Sequence, residues 1–332
     1  VKSRLATAFE QAWYGGKRWS LALLPLSWLV SLYARRRLAR FRRRAVPPPV
    51  PVLVVGNITV GGTGKTPLVI ALSQYFSRKG IRVAIISRGY RADARQCPRQ
   101  VHPGDLAQDV GDEPLMMARR AGVPVIIDPQ RARALQYAVA HCGAELVISD
   151  DGLQHYALPR SAEIIVLDGA RMLGNGLCLP SGPLREPASR LAEVNWRVVN
   201  GRPEGRLPDA TVMSLAMADP VNIRSGESMP MEDFVARYPY VQAIAGIGNP
   251  DRFFSALRAQ GLAMDAHAFD DHHVFSDADL APFTEATLVM TEKDAVKCVT
   301  LVGENAWFIP VTAQLPAVFF ESVQMTLQTG RK

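Results

Sequence analysis

Apolar residues along the chain fall into short uncharged runs separated by stretches with helical spacing. Val52–Val55 is one such run. It reads as a buried strand, because a strand covered on both faces has no place for alternating polar residues. Leu68–Phe76 then carries apolar residues at the spacing of one helix face. The strand pattern returns at Ile81–Ser87, Val123–Asp128, Leu146–Asp150 and Glu163–Asp168, with helical stretches at Leu115–Ala121 and Arg131–Cys142. Strands alternating with helices predict an α/β fold with a parallel sheet covered on both faces and ligands at the carboxyl ends of its strands. Residues 91–110 are polar and read as loop, and Val194–Val199 resembles a further strand. Around residue 200 the composition turns to Gly, Pro and charge over Gly201–Pro208, which places a domain boundary there. Beyond it, strands are expected near Ala210–Leu215, Val241–Ile247, Thr287–Thr291 and Trp307–Pro310, with helices at Asp251–Gln260 and Ala278–Ala286. The expected organisation is an N-terminal helix over 1–45, a parallel-sheet domain over 46–200, and a smaller α/β domain over 201–332 that supplies a closing face.

The N-terminal segment changes the picture of charge. The chain has 332 residues and a formal net charge of +7. Residues 1–44 hold eleven Lys or Arg against Glu10 alone, so this segment carries +10 and the remaining 288 residues sum to −3. A body without basic excess argues against a nucleic-acid surface. Within the segment, Trp19–Ala34 is sixteen residues without charge, interrupted by Pro25. A membrane span needs roughly 20 residues, so this stretch is too short. The Arg-rich flank after it is wrong for a cleaved signal peptide. Basic residues on both sides, with Trp13, Trp19 and Trp28 nearby, suit an amphipathic helix in the interface of an anionic membrane. The alternative is a helix packed on the protein's own core. The four cysteines, at 97, 142, 178 and 298, form no C-x-x-C pair, which indicates neither a zinc knuckle nor a disulfide framework.

Candidate chemistry sits where strands end. Val52–Gly56 runs into Asn57–Gly64, and Lys65 and Thr66 open the helical stretch. Strand, glycine loop, Lys-Thr and helix are the parts of a phosphate-binding loop. Gly61, Gly62 and Gly64 let backbone N–H groups approach phosphate oxygens where a Cβ would clash. Lys65 can reach the β- and γ-phosphates, and the Thr66 hydroxyl can sit on Mg²⁺. The nucleotide loop comprises Thr59, Val60, Gly61, Gly62, Thr63, Gly64, Lys65 and Thr66; Thr59 stands where the usual pattern has glycine. The alternative is a structural glycine turn. After the Leu146 strand, Asp150 and Asp151 match the arrangement that holds Mg²⁺ beside a phosphate loop, whereas Asp-Asp-Gly in isolation is a common turn. Transfer to an alcohol needs a proton acceptor, and Asp112, His155, Asp270, Asp271, His272 and His273 are the candidates. Asp112 also fits a helix N-cap. The charges of Thr291–Asp294 either contact a phosphate or form a solvated turn.

Taken together, Gly56–Pro67, Ser87–Tyr90, Gly111–Pro114, Ser149–His155, Gly174–Gly176, Gly182–Pro187, Gly246–Pro250, Asp271-His272 and Thr291–Asp294 resemble the tetraacyldisaccharide 4′-kinases, the lipid A 4′-kinases of Gram-negative bacteria. That family similarly lacks the first phosphate-loop glycine. The resemblance implies two α/β/α domains hinged by a short β linker and an N-terminal membrane-associated helix. It implies transfer of the ATP γ-phosphate to the 4′-hydroxyl of a tetraacylated glucosamine disaccharide 1-phosphate, at the cytoplasmic face of the inner membrane. By the family pattern Lys65 and Thr66 serve phosphate and Mg²⁺, Thr66, Asp150 and Asp151 serve the metal, and Asp112 accepts the hydroxyl proton, paired with His272 on domain closure. His273 is the other candidate for that pairing. A monomer is expected. One rival is a membrane-attached switch ATPase, which carries a signature lysine where Val60 stands. Another is a lipid-binding module with a vestigial nucleotide site, against which Lys65, Thr66, Asp150 and Asp151 all speak.

Overall fold

In the computed structural model, residues 4–43, 46–90, 92, 94–205 and 207–329 are described. Their strands are β1 (Val52–Gly56), β2 (Val83–Ser87), β3 (Arg99–Val101), β4 (Val125–Ile127), β5 (Leu146–Asp150), β6 (Ala162–Asp168), β7 (Trp196–Asn200), β8 (Ala210–Met217), β9 (Val221–Asn222), β10 (Tyr240–Ala245), β11 (Ala263–Ala268), β12 (Leu288–Thr291), β13 (Ala306–Ile309) and β14 (Val311–Gln314). Nine of them form one sheet in the order β14-β8-β7-β6-β1-β5-β2-β4-β3, and five form a second in the order β11-β10-β12-β13-β9.

The larger sheet is parallel except at its edges, where β3 and β14 run antiparallel to their neighbours. The uncharged run of β1 lies in its middle, between β5 and β6, with every residue buried. The helix Lys65–Arg78 covers one face, setting Leu68, Leu72 and Phe76 into a core shared with Ile85, Ile148 and Val166. The helix Arg131–Cys142 covers the other, through Ala134, Leu135 and Ala138. In the second sheet β10 lies between β11 and β12, all parallel, and only β9 runs antiparallel at its edge.

The boundary expected at residue 200 does not coincide with an end of the first sheet. Gly201–Pro208 is a connection within that sheet, since β8 pairs in parallel with β7. The chain leaves for the second sheet after β8 and returns at β14, which pairs with β8. The helix Ala317–Thr329 then packs Phe319, Val323 and Leu327 into the core of Leu68 and Phe76. The second sheet is therefore an insertion, and the last nineteen residues described belong with the nucleotide-loop sheet. The β8–β14 ladder forms the root from which the insertion departs.

The N-terminal segment is two helices, Arg4–Tyr14 and Leu24–Arg43, joined through Gly15, Gly16 and a 3₁₀ turn, where one helix was expected. Gly16 takes φ +75°, which ends the first helix. The segment faces the protein with its small polar residues. Ser20 Oγ donates to Ser181 O at 2.9 Å and Ser27 Oγ accepts from Ser181 N at 2.9 Å, both buried. Leu26, Trp28, Leu29 and Tyr33 point outward, Trp28 being 67% exposed. No helix among the described residues is long and apolar enough to cross a membrane.

Candidate active site

The carboxyl end of β1 opens into a loop held from two sides. Val60 N donates to Pro183 O (3.0 Å) and Arg185 N donates to Ile58 O (2.6 Å), so residues 183–185 run along the loop as a strap. Thr59 pairs with Leu184 in an antiparallel bridge. A threonine suits that extended, buried position, and this is why the usual glycine is dispensable there. From the other side Asn200 Nδ2 donates to Thr63 O at 3.1 Å. Gly61 and Gly64 take φ +100° and +87°, and a Cβ on Gly64 would stand 2.5 Å from Asn200 Nδ2. Nothing lies within 4 Å of where a Gly62 Cβ would be. The loop thus presents an open backbone surface, and the helix that starts at Lys65 adds its free N–H groups.

The strap is itself anchored by buried charge. Gln154 Nε2 bridges Asn57 O (3.1 Å) and Glu186 Oε1 (2.7 Å). Arg190, 2% exposed, donates to Glu186 (3.1 Å) and Glu163 (2.6 Å). Removing this guanidinium leaves the buried Glu186 without its cation and leaves Glu163 with Arg160 alone. Arg190→Ala is expected to lower stability by about 3–5 kcal/mol, read as a shift of the urea midpoint; a change below about 1 kcal/mol would mean the strap is held otherwise.

Gly61, Gly62, Gly64, Lys65 and Thr66 line a cleft of about 740 Å³ between the two sheets. Thr59, Val60 and Thr63 are not in its lining: Thr59 is paired with the strap, Val60 hangs from Pro183, and the Thr63 carbonyl is taken by Asn200. The carboxyl end of β5 delivers Asp150 and Asp151 to the same cleft. Asp151 takes φ +48°, which turns it toward Lys65 (3.5 Å) and Arg185 (3.5 Å). Burial alone would raise the Asp151 pKa, but Lys65, Arg185 and Arg131 outweigh it and hold the carboxyl below its ordinary value. Asp150 shifts upward instead, through burial and the nearby Glu113 charge. Its backbone carbonyl accepts from Arg131 Nη2 (2.9 Å), while its Oδ1 is buried with no hydrogen-bond partner among the described residues.

On the same side of the cleft, the helix Asp112–Arg120, whose Leu115 and Met117 share the first sheet's core, starts after Gly111, whose φ of +90° lets the chain turn beneath the Tyr90 carbonyl. Asp112 is not the N-cap; Gly111 is, and Asp112 Oδ1 accepts only from the Glu113 N–H at 2.9 Å. The loop after β11 brings His272, at φ +59°, across from the second sheet. Its Nδ1 stands 2.8 Å from Asp112 Oδ2, with the Tyr90 ring 5.2 Å from the imidazole. His273 goes elsewhere: Nε2 meets Asp279 at 3.3 Å and the ring packs against Phe269 and Phe275. His155 lines the cleft, but burial and the Arg131 and Arg88 charges push its pKa down to about 4, leaving it neutral.

Burial would raise the Asp112 pKa, but the His272 hydrogen bond and the Lys293 and Lys297 charges overcome it and hold Asp112 at about 2. Because the folded pKa is depressed, the group favours the folded state above its unfolded pKa and loses that benefit as pH falls toward about 2. His272→Ala removes the largest lowering interaction. In that variant the Asp112 carboxyl is therefore expected to titrate at higher pH than in the parent protein, read by ¹³C NMR of the carboxyl; an unmoved titration would mean that His272 does not set the Asp112 charge.

Thr291–Asp294 divides its work. Thr291 Oγ1 and the Gly246 N–H both donate to the buried Asp294 carboxylate (2.6 and 2.9 Å), which fixes the Gly246–Pro250 turn. Glu292 pairs with Arg120 at 2.6 Å across the sheets. Lys293 alone reaches the Asp112–His272 pair. Sequence reasoning gave no role to Arg252 or Asn200, and read the Lys293 charge only as a phosphate contact or part of a solvated turn. Arg252 reaches from the second sheet to Asn200 Oδ1 (2.8 Å) and Asp168 Oδ2 (3.4 Å). The usable signal was position: Asn200 and Asp168 end β7 and β6, and Lys293 follows β12, all carboxyl ends of parallel strands.

Comparison with known proteins identifies the family. The sequence pattern described as Tetraacyldisaccharide-1-P 4′-kinase matches residues 19–328. The tetraacyldisaccharide 4′-kinase of Alcanivorax borkumensis is 52% identical over 307 residues, covering 92% of this chain and 93% of that protein. The one from Pseudomonas aeruginosa is 47% identical over 306 residues, covering 91% of each. The crystal structure of the "apo" form of LpxK from Aquifex aeolicus in complex with ATP superposes with a TM-score of 0.77 at 26% identity, covering 93% of this chain and 99% of that one. With its phosphate loop, its paired aspartates and this match over nearly its whole length, the chain belongs to the tetraacyldisaccharide-1-P 4′-kinase family.

Proposed function

We propose that this protein transfers the γ-phosphate of ATP to the 4′-hydroxyl of a tetraacyldisaccharide 1-phosphate, with Asp112 and His272 as the proton-handling pair. The observation that carries this reading is the 2.8 Å contact between Asp112 and His272 in the cleft that the glycine loop also lines. A switch ATPase needs to position only water; a carboxylate–imidazole pair in the same cleft as the loop serves an incoming alcohol.

In the reaction the hydroxyl oxygen bonds to the γ-phosphorus, the bond to the β,γ-bridging oxygen breaks, and the hydroxyl proton passes to Asp112. A carboxylate with a pKa of about 2 is a weak base. It takes the proton late, when the new O–P bond has acidified the hydroxyl, as a loose transition state allows. Earlier in the reaction it accepts the O–H hydrogen bond and orients the alcohol. His272 Nδ1–H holds the carboxylate in place. Lys65 stabilises charge on the phosphates, and Arg185 and Arg131 add positive potential around Asp151. Thr66, Asp150 and Asp151 would hold Mg²⁺, which would supply positive charge to the phosphate oxygens; the buried Asp150 Oδ1 has no protein partner among the described residues.

The outward face of Leu26, Trp28, Leu29 and Tyr33, next to Arg35, Arg36 and Arg37, suits the anionic cytoplasmic surface of the inner membrane. We take the enzyme to work there as a monomer, since loop, aspartates and dyad all come from a single chain. Trp28→Ser with Leu29→Ser is expected to lower partitioning into anionic vesicles at least about tenfold, each side chain giving up roughly 1.5–3 kcal/mol of burial. Unchanged co-sedimentation would move the anchor elsewhere.

The deciding experiment mixes the protein, Mg²⁺ and γ-labelled ATP with tetraacyldisaccharide 1-phosphate in detergent micelles. Label in the lipid is the expected result. Label released only as inorganic phosphate would discard the kinase reading in favour of an ATPase.

A further inference from the structure

Lys293 is the second residue of the helix Glu292–Cys298, and the reaction described above does not use it. Its Nζ lies 3.0 Å from Glu113 Oε1, 3.1 Å from Asp271 Oδ1, 3.3 Å from His272 Nε2 and 4.0 Å from Asp112 Oδ2. Burial disfavours the charged amine, but Glu113, Asp112 and Asp271 outweigh it and raise its pKa, so the group is an ammonium. An ammonium has three donors and no acceptor. The contact with His272 therefore has one sense: Nζ donates and Nε2 accepts. A neutral imidazole that accepts at Nε2 carries its proton on Nδ1, the atom 2.8 Å from Asp112 Oδ2.

We propose that Lys293 is a positioning residue for phosphoryl transfer: by donating to His272 Nε2 it fixes the imidazole as its Nδ1–H tautomer, which aims that N–H at Asp112. The inference rests on Asp112 and His272 being the proton-handling pair. The other tautomer would set the Nδ1 lone pair against a carboxylate oxygen and the Nε2–H against an ammonium, losing both hydrogen bonds at once. The imidazolium form would keep the Asp112 contact but oppose two donors at 3.3 Å. The same ammonium joins the second sheet to Glu113 on the first. The tautomer is thus fixed only when the two walls of the cleft face each other, which couples closure to the readiness of the base.

The test reads the tautomer directly. The full chain in detergent micelles is labelled with ¹⁵N at histidine, long-range ¹H–¹⁵N correlations are recorded, and His272→Ala assigns the signal. The parent protein is expected to show His272 in the Nδ1–H form alone; an Nε2–H or imidazolium ring there would overturn the proposal without any Lys293 variant. Lys293→Met is expected to mix the tautomers and to lower kcat about 10²-fold with KM for ATP nearly unchanged, and Lys293→Arg, which keeps the donor, to recover most of the loss. Because Lys293 acts through the imidazole, Lys293→Met added to His272→Ala is expected to cost less than about threefold more. A full further 10²-fold loss would place the ammonium on the substrate and refute the positioning role. Full turnover by His272→Ala alone would sink the pair itself, a distinct failure.

Discussion

Asp112→Asn is expected to lower turnover by about 10³-fold, within the 10²–10⁴ range for losing a positioned proton acceptor, while ATP affinity stays within about twofold. The separation of the two effects follows from where the groups sit. On the proposed reading the phosphate groups lie on the loop at the end of β1 and the helix behind it, whereas Asp112 stands at the start of another helix. Asparagine keeps the shape and an oxygen for the Glu113 N–H but cannot take a proton. The amide also meets the His272 Nδ1–H without charge, so the imidazole loses most of its reason to stay. Single-turnover rates with lipid substrate and calorimetric ATP titration together check this. Turnover within tenfold of the parent would remove Asp112 from proton transfer. A collapse of ATP binding would mean that Asp112 shapes the fold of the cleft instead.

Lys65→Met is the second large effect. Methionine matches the length of the lysine stem, so packing against the loop survives and the charge alone is lost. Charge-assisted hydrogen bonds contribute roughly 1.5–3 kcal/mol each, so ATP affinity is expected to fall on the order of 10- to 100-fold. Charge developing on the transferred group is stabilised less as well, so turnover drops by a further factor of about 10²–10³. Asp151 also loses the first of the cations that hold its pKa down, so its pKa is expected to rise. Unlike Asp112→Asn, this variant is expected to fail in binding and in chemistry alike. Unchanged label transfer would reduce the glycine loop to a structural turn.

The parts legible in the sequence were those whose physics is local. The β1–loop–helix unit announces itself because the uncharged run, the glycines and Lys65-Thr66 are contiguous. Asp150 and Asp151 were legible because they end an apolar strand. Thr59 looked like a defect only because its partner, Leu184, lies 125 residues away. The placement of β8 and β14 was illegible for the same reason. Val311–Gln314 is four residues long, too short for periodicity to speak, and its pairing is set by an element nearly a hundred residues earlier. His272 and His273 could not be told apart by spacing. The positive φ of His272 and the aromatic seat of His273 separate them. In the N-terminal segment the apolar content was plain, but its direction was not, since two buried serines hold the inward face. Lys293 was hidden inside a motif whose other members, Thr291 and Asp294, only fix a turn.

The insertion of the second sheet between β8 and β14 has a consequence for synthesis on the ribosome. The inserted sheet holds all of its strands once residue 309 has emerged. The nucleotide-loop sheet, begun at residue 52, still lacks β14 and the helix Ala317–Thr329 at that moment. The half that begins first is thus finished last, against the usual order in which domains fold as they appear. Until residues 317–329 have emerged, the helix Lys65–Arg78 exposes the apolar side that Phe319, Val323 and Leu327 will cover. A stop codon between residues 310 and 317 would therefore leave a complete inserted sheet on an unfinished and sticky base. Such truncations are the ones that cellular proteases should remove most readily.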